Sequence, residues 1–92
     1  MQKAFRLIIS GQVQGVGYRR WFYQQAQALA LKGYVKNLAT GEVEALVITD
    51  AENLSRVIEL AYLGPPHAEV HQVNSCEVSQ DLDVTDFQII RE

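Results

Sequence analysis

Two stretches of this 92-residue chain repeat apolar residues at helical spacing, and strand-like alternation lies before, between and after them, an order that few small folds accommodate. Tyr18, Phe22, Ala26 and Leu29 make the first helical stripe, with Gln24, Gln25 and Gln27 on its wetter side and Trp21 and Tyr23 flanking it as further packing residues. Leu54, Val57, Ile58 and Ala61 make the second. Asp50 stands where a carboxylate caps a helix start, and Gly64-Pro65-Pro66 ends the stretch sharply. Phe5, Leu7 and Ile9 alternate with Ala4, Arg6, Ile8 and Ser10 as a strand with one apolar face. Gly33 is read as the stop of the first helix. Residues 34–38 and 42–48 then form two strands joined through Ala39-Thr40-Gly41, a hairpin. Residues 68–78 and 87–91 are the last strands, joined by an acidic loop around Asp81, Asp83 and Asp86.

The order is βαββαβ with a short final strand. It predicts a ferredoxin-like α+β sandwich, an antiparallel sheet with both helices on one face and a short fifth strand. A chain of this length is expected to form a single domain over residues 1–92.

Charge is divided unevenly along the chain. The net value is −3, yet residues 1–41 hold Lys3, Arg6, Arg19, Arg20, Lys32 and Lys36 and no acid, while residues 42–92 hold all eleven acids against Arg56 and Arg91. An acidic total argues against a nucleic-acid partner, whereas a positive first half steers small anions. Cys76 is the single cysteine, so no internal disulfide forms, and it is read as a small core or edge residue. With no long apolar run and no export-type leader, the expectation is a cytoplasmic protein without membrane contact. His67 and His71 are read as surface residues, and with no ligand-type partner at suitable spacing neither a metal nor another cofactor is expected.

The stretch Gly11-Gln12-Val13-Gln14-Gly15-Val16-Gly17-Tyr18-Arg19-Arg20 places three glycines between the first strand and the first helix, with arginines directly after them. Glycine admits positive φ, so successive N–H groups can converge on one concavity, and the helix behind adds its positive dipole end. The Arg19 guanidinium offers a planar fork matched to two phosphate or carboxylate oxygens. On pattern alone this is a turn or an anion site. It is neither a dinucleotide fingerprint nor a P-loop, because no glycine stands at Arg20 and no Lys-Ser/Thr pair opens the helix. Arg20 turns about 100° from Arg19 and is read as solvated or steering.

A second polar residue returns to the same level. From Arg19 to Leu31 a helix advances about 18 Å, and the strand from Gly33 to Asn37 runs back about 13 Å. Parity puts Asn37 on the face of Val35, the one the helices cover. Two readings stay open: an amide that positions water, or a residue that opens the hairpin turn.

These segments resemble those of the acylphosphatase family over nearly the whole chain. Residues 13–19 are similar to its V-Q-G-V-x-[FY]-R signature. Gly33-Tyr34-Val35-Lys36-Asn37 with Gly41-Glu42-Val43-Glu44 is similar to its second signature, and residues 64–70 to its G-P-P-x-A-x-V segment. The resemblance implies a metal-independent enzyme that hydrolyses small-molecule acyl phosphates to a carboxylate and inorganic phosphate; separately, a monomer is expected, though no residue pattern sets the oligomeric state. It implies that Arg19 binds the phosphoryl group, that Asn37 positions the attacking water, and that the backbone amides of Gln12, Val13, Gln14, Gly15 and Val16 bind phosphoryl oxygens. Ala30 and Thr49 depart from the family pattern, which commonly has glycine at both positions; both lie away from the expected site.

Three other readings compete. A non-catalytic anion-binding module on the same fold is disfavoured by the presence of both Arg19 and Asn37. RNA recognition on a βαββαβ sheet needs aromatics on the central strands, and residues 42–48 carry none and include two acids. A carbamoyl-phosphate-handling role, as in acylphosphatase-like domains of larger hydrogenase-maturation proteins, is disfavoured because no zinc-finger cysteines follow.

Overall fold

The two periodicities become seven elements: β1 (Lys3–Gln12), α1 (Tyr18–Ala28), β2 (Lys32–Asn37), β3 (Val43–Thr49), α2 (Ala51–Leu63), β4 (Glu69–Val78) and β5 (Phe87–Ile90). The computed structural model describes residues 2–79 and 83–91; Asp81, expected in the acidic loop, lies outside them. The strands form one sheet in the order β4-β1-β3-β2-β5. Phe5, Leu7 and Ile9 of β1 and Val43, Ala45 and Val47 of β3 bury their side chains with Tyr18, Phe22 and Ala26 of α1 and Val57 and Ala61 of α2. Burying each large apolar side chain of this layer contributes about 1.5–3 kcal/mol. The alternation in β1 thus selects the face that both helices cover.

β3 occupies the middle of the sheet and is buried along its whole length. Its outward residues Leu46 and Ile48 pack with Ala4, Tyr34, Val78 and Val84. Glu44 is buried on that outer face and accepts from Arg6 Nε at 2.9 Å and from the Tyr34 hydroxyl at 2.7 Å, with Lys36 Nζ 3.8 Å away. A carboxylate taken out of water needs such partners. Burial, then the neighbouring Glu44, pushes the Tyr34 phenol up to about 12. Asp50 caps α2, its side chain accepting from Asn53 N at 2.8 Å.

Three details depart from the sequence reading. The sheet is mixed: β1, β2, β3 and β4 pair antiparallel, whereas β5 runs parallel to β2, with Gly33 opposite Phe87 and Val35 opposite Ile89. Four residues, Phe-Gln-Ile-Ile, carry the tendency to pair but nothing that sets direction, and the chain leaving β4 must cross to the far edge to reach β2. Second, Gly33 does not stop α1. The helix ends at Ala28, and Ala30 takes φ 54° while its N–H bonds Gln27 O and Leu31 N–H bonds Ala26 O, the paired bonds of a Schellman ending. Third, Gly33 lies inside β2, where a Cβ would overlap the Leu46 carbonyl, so glycine there permits β2 to approach β3. Cys76 is exposed on edge strand β4, and His67 and His71 are exposed.

A left-handed alanine at a helix end is strained by about 1–2 kcal/mol relative to the right-handed region. Ala30→Gly is therefore expected to raise the unfolding free energy by about 0.5–1 kcal/mol after the extra flexibility of glycine in the unfolded chain is counted. Urea unfolding followed by circular dichroism checks the shift in midpoint.

Candidate functional site

Between the end of β1 and the start of α1 the backbone reverses through two glycines with positive φ, 75° at Gly15 and 80° at Gly17. A Cβ at either position would meet nothing within 4 Å, so glycine is required there by backbone conformation and not by space. Gly17 occupies the N-cap of α1, with no side-chain cap. The N–H groups of the first turn therefore remain directed toward the glycine turn, at the positive end of the helix.

The turn is fastened to the hairpin by a side chain. Gln14 Nε2 donates to Leu38 O at 2.8 Å and to Glu42 O at 2.9 Å. That pair of bonds brings the turn against the end of β2, whose last residue is Asn37. Tyr18, buried at the start of α1, donates its hydroxyl to Ala61 O at 2.7 Å and so ties the first turn of α1 to α2. Its burial pushes the phenol pKa upward, which keeps the hydroxyl a donor.

These contacts enclose a cleft of about 350 Å³. Val13, Gln14, Gly15 and Gly17 line it from the turn, Arg19 from α1, and Asn37 from β2. The helix-and-strand count that placed Asn37 level with the turn started from a helix three residues too long, yet Asn37 faces the same cleft as Arg19. Gln12 and Val16 do not line it: Gln12 is the exposed last residue of β1, opposite Glu69, and Val16 packs its side chain against the hydrophobic core. Arg19 Nη1 lies 3.4 Å from Ile90 O and donates to it, a long bond that leaves most of the guanidinium donors for another partner.

Asn37 carries the one unsatisfied polar atom of its kind among the described residues. Its Oδ1 is buried and has no hydrogen-bond partner there. Buried carbonyl oxygens are rarely left so, since an unpaired one costs about 1–3 kcal/mol.

Other lining residues escaped the sequence reading. Ile89 and Arg91, at the end of β5, reach the cleft because β5 lies beside β2, and Arg20 joins them in spite of its turn away from Arg19. Among the described residues the lining thus holds three guanidinium groups and no carboxylate. Among the described residues no group of three or more His, Cys, Asp or Glu side chains is placed to hold a metal ion, and no helix is long and apolar enough to cross a membrane.

Known proteins resemble this chain over nearly all of its length. The acylphosphatase family model matches residues 5–89. An acylphosphatase of Deinococcus radiodurans is 39% identical over 82 residues, which cover 89% of this chain and 93% of that protein. Among solved structures, an acylphosphatase from Bacillus subtilis superposes with a TM-score of 0.90 at 31% identity, covering 99% of this chain and 100% of that one. An acylphosphatase from Coxiella burnetii superposes with a TM-score of 0.89 at 34% identity, covering 97% and 93%.

Gln14→Ala is expected to lower stability by about 1–2 kcal/mol, because two carbonyls each lose a donor. It is also expected to weaken inorganic phosphate binding by freeing the turn from the hairpin. Urea unfolding reads the first effect and isothermal titration with phosphate the second; a destabilised variant with unchanged phosphate affinity would show that the fastening serves the fold alone.

Proposed function

The chain belongs to the acylphosphatase family, and from that premise we propose that the cleft hydrolyses acyl phosphates, with Arg19 and the turn amides holding the phosphoryl group and Asn37 holding the attacking water. The observation that carries this reading is the buried, unpartnered Asn37 Oδ1 in the same cleft as Arg19. A bound water would donate to that oxygen, which satisfies it and turns a lone pair of the water toward phosphorus.

The chemistry asks little more. Arg19 pairs its fork with two phosphoryl oxygens, and the backbone N–H groups of the turn at Val13, Gln14 and Gly15, which line the cleft, take the developing charge with the N-terminus of α1. The water oxygen forms its bond to phosphorus as the bond from phosphorus to the acyl oxygen breaks. The carboxylate leaves with the electron pair, and the water proton passes to a phosphoryl oxygen. A carboxylate is a good leaving group and the transition state is loose, so positioning and charge stabilisation suffice and no strong base is needed. Each charge-assisted hydrogen bond contributes about 1.5–3 kcal/mol, and every 1.36 kcal/mol off the barrier is about tenfold in rate. A non-catalytic anion module would bind with Arg19 and the turn but would leave Asn37 Oδ1 without a task.

Arg19→Lys is expected to lower kcat/KM for benzoyl phosphate by about 30-fold or more, because an ammonium cannot reproduce the bidentate fork. Steady-state hydrolysis measures it, and near-wild-type kcat/KM refutes the assignment.

For Asn37→Ala the expectation is a fall in kcat of about 100-fold with competitive inhibition by phosphate retained, since the residue acts on water. Loss of that inhibition would reassign Asn37 to phosphoryl binding.

A further inference from the structure

We propose that Glu44 is a positioning residue for the hydrolysis: from the outer face of the sheet it fixes the end of β2, and with it the place of the Asn37 carboxamide relative to the phosphoryl group. The proposal rests on the reading of Asn37 as the holder of the attacking water. Its starting observation is a buried carboxylate that the reaction does not use. β3 turns Glu44, Leu46 and Ile48 to the outer face, and all three are buried. Apolar side chains fill the layer at the second and third of these positions, and one would fill the first with no charge to desolvate. A buried ion group adds little net stability over an apolar side chain of similar size. What the carboxylate adds here is direction, because its oxygens hold donors at set places.

Those donors belong to the two strands that lead to the site. Glu44 Oε1 accepts from Arg6 Nε of β1 at 2.9 Å, while Oε2 accepts from the Tyr34 hydroxyl of β2 at 2.7 Å and lies 3.8 Å from Lys36 Nζ of the same strand. Lys36 Nζ also sits 5.7 Å from the centre of the Tyr34 ring, which holds the ammonium from a second side. In the strand register Glu44 is opposite Lys36, and the next row sets Val43 opposite Asn37 on β2 and Ile9 on β1. The carboxylate therefore clamps β2 one residue before Asn37. Side chains alternate across a strand, so the clamp stays on the outer face while Asn37 lines the cleft. Asn37 Oδ1 has no hydrogen-bond partner among the described residues, so its place is set by the backbone that carries it. The phosphoryl group is held by Arg19 and the turn, on other elements. A shift at the end of β2 thus moves the water away from phosphorus without loosening the phosphate, and a misplacement of about 1 Å can cost about 100-fold in rate.

The test measures kcat for benzoyl phosphate and competitive inhibition by inorganic phosphate in Glu44→Ala, Glu44→Gln and Tyr34→Phe. Glu44→Ala is expected to lower kcat by about tenfold, with the phosphate inhibition constant within about twofold of the wild-type value. Glu44→Gln keeps an acceptor for Tyr34 but not the charge, and should recover part of that loss. Tyr34→Phe removes one donor and should lower kcat by about two- to threefold. In the Asn37→Ala background Glu44→Ala should lower kcat no further, because the clamp acts through that side chain. Asp50→Ala removes the cap of α2 and does not touch the cleft; it should lower the urea midpoint and leave kcat unchanged, which separates loss of stability from loss of position. Wild-type kcat in folded Glu44→Ala overturns the proposal, and if that variant does not fold, wild-type kcat in both Glu44→Gln and Tyr34→Phe does so. An equal loss from Glu44→Ala with and without Asn37, or a weakening of phosphate in step with kcat, overturns it as well. Wild-type kcat in Asn37→Ala would instead overturn the water-holding reading, and the proposal with it, whereas no turnover of benzoyl phosphate by the wild-type protein would overturn the acyl phosphate reading itself.

Discussion

Positive φ at Gly15 and Gly17 is the constraint on which the site depends. Any side chain at these two positions would press the backbone toward negative φ, and the N–H groups between β1 and α1 would no longer converge. The conformation is local, but its position is not. Gln14 carries the turn to the hairpin through two carbonyls, Tyr18 anchors the helix behind it to α2, and the Arg19 contact with Ile90 closes the third side. Three elements distant in sequence are thus referred to one short stretch of backbone.

The sheet beneath allows this because its central strand is covered twice. β3 meets the helices on one face and a smaller apolar layer on the other, with Glu44 embedded in the second. Glu44 reaches residues of β1 and β2, so the strands that bring the turn and Asn37 to the cleft are cross-linked from behind. Replacing that carboxylate alone would leave Arg6, Tyr34 and Lys36 without their shared partner.

Much of this was legible in the residues. Helical stripes and strand alternation placed all seven elements, since burial of one face decides register wherever a strand has one apolar side. The glycine turn and Asn37 were legible for the same reason: both are set by φ and by parity, which depend on neighbours in sequence. What was missed depends on distant partners. Gly33 looked like a helix stop, yet its lack of a side chain answers the Leu46 carbonyl on another strand. Ala30 favours right-handed backbone, so only the glycine common at that position in the resembled family hinted at the left-handed ending it adopts. The direction of β5, and with it the arrival of Ile89 and Arg91 at the cleft, follows from sheet order, which no short window encodes.

The bond from Arg19 to Ile90 spans 71 residues, and β1 pairs with β4 from the far side of two helices and two strands. Chains dominated by such remote pairings pass through a high entropic barrier before any contact rewards the search, and they form most of their tertiary structure cooperatively. No half-assembled intermediate would own a working cleft. Appearance of hydrolytic competence during refolding therefore marks arrival at the native topology, making turnover itself a clock for the last stage of folding.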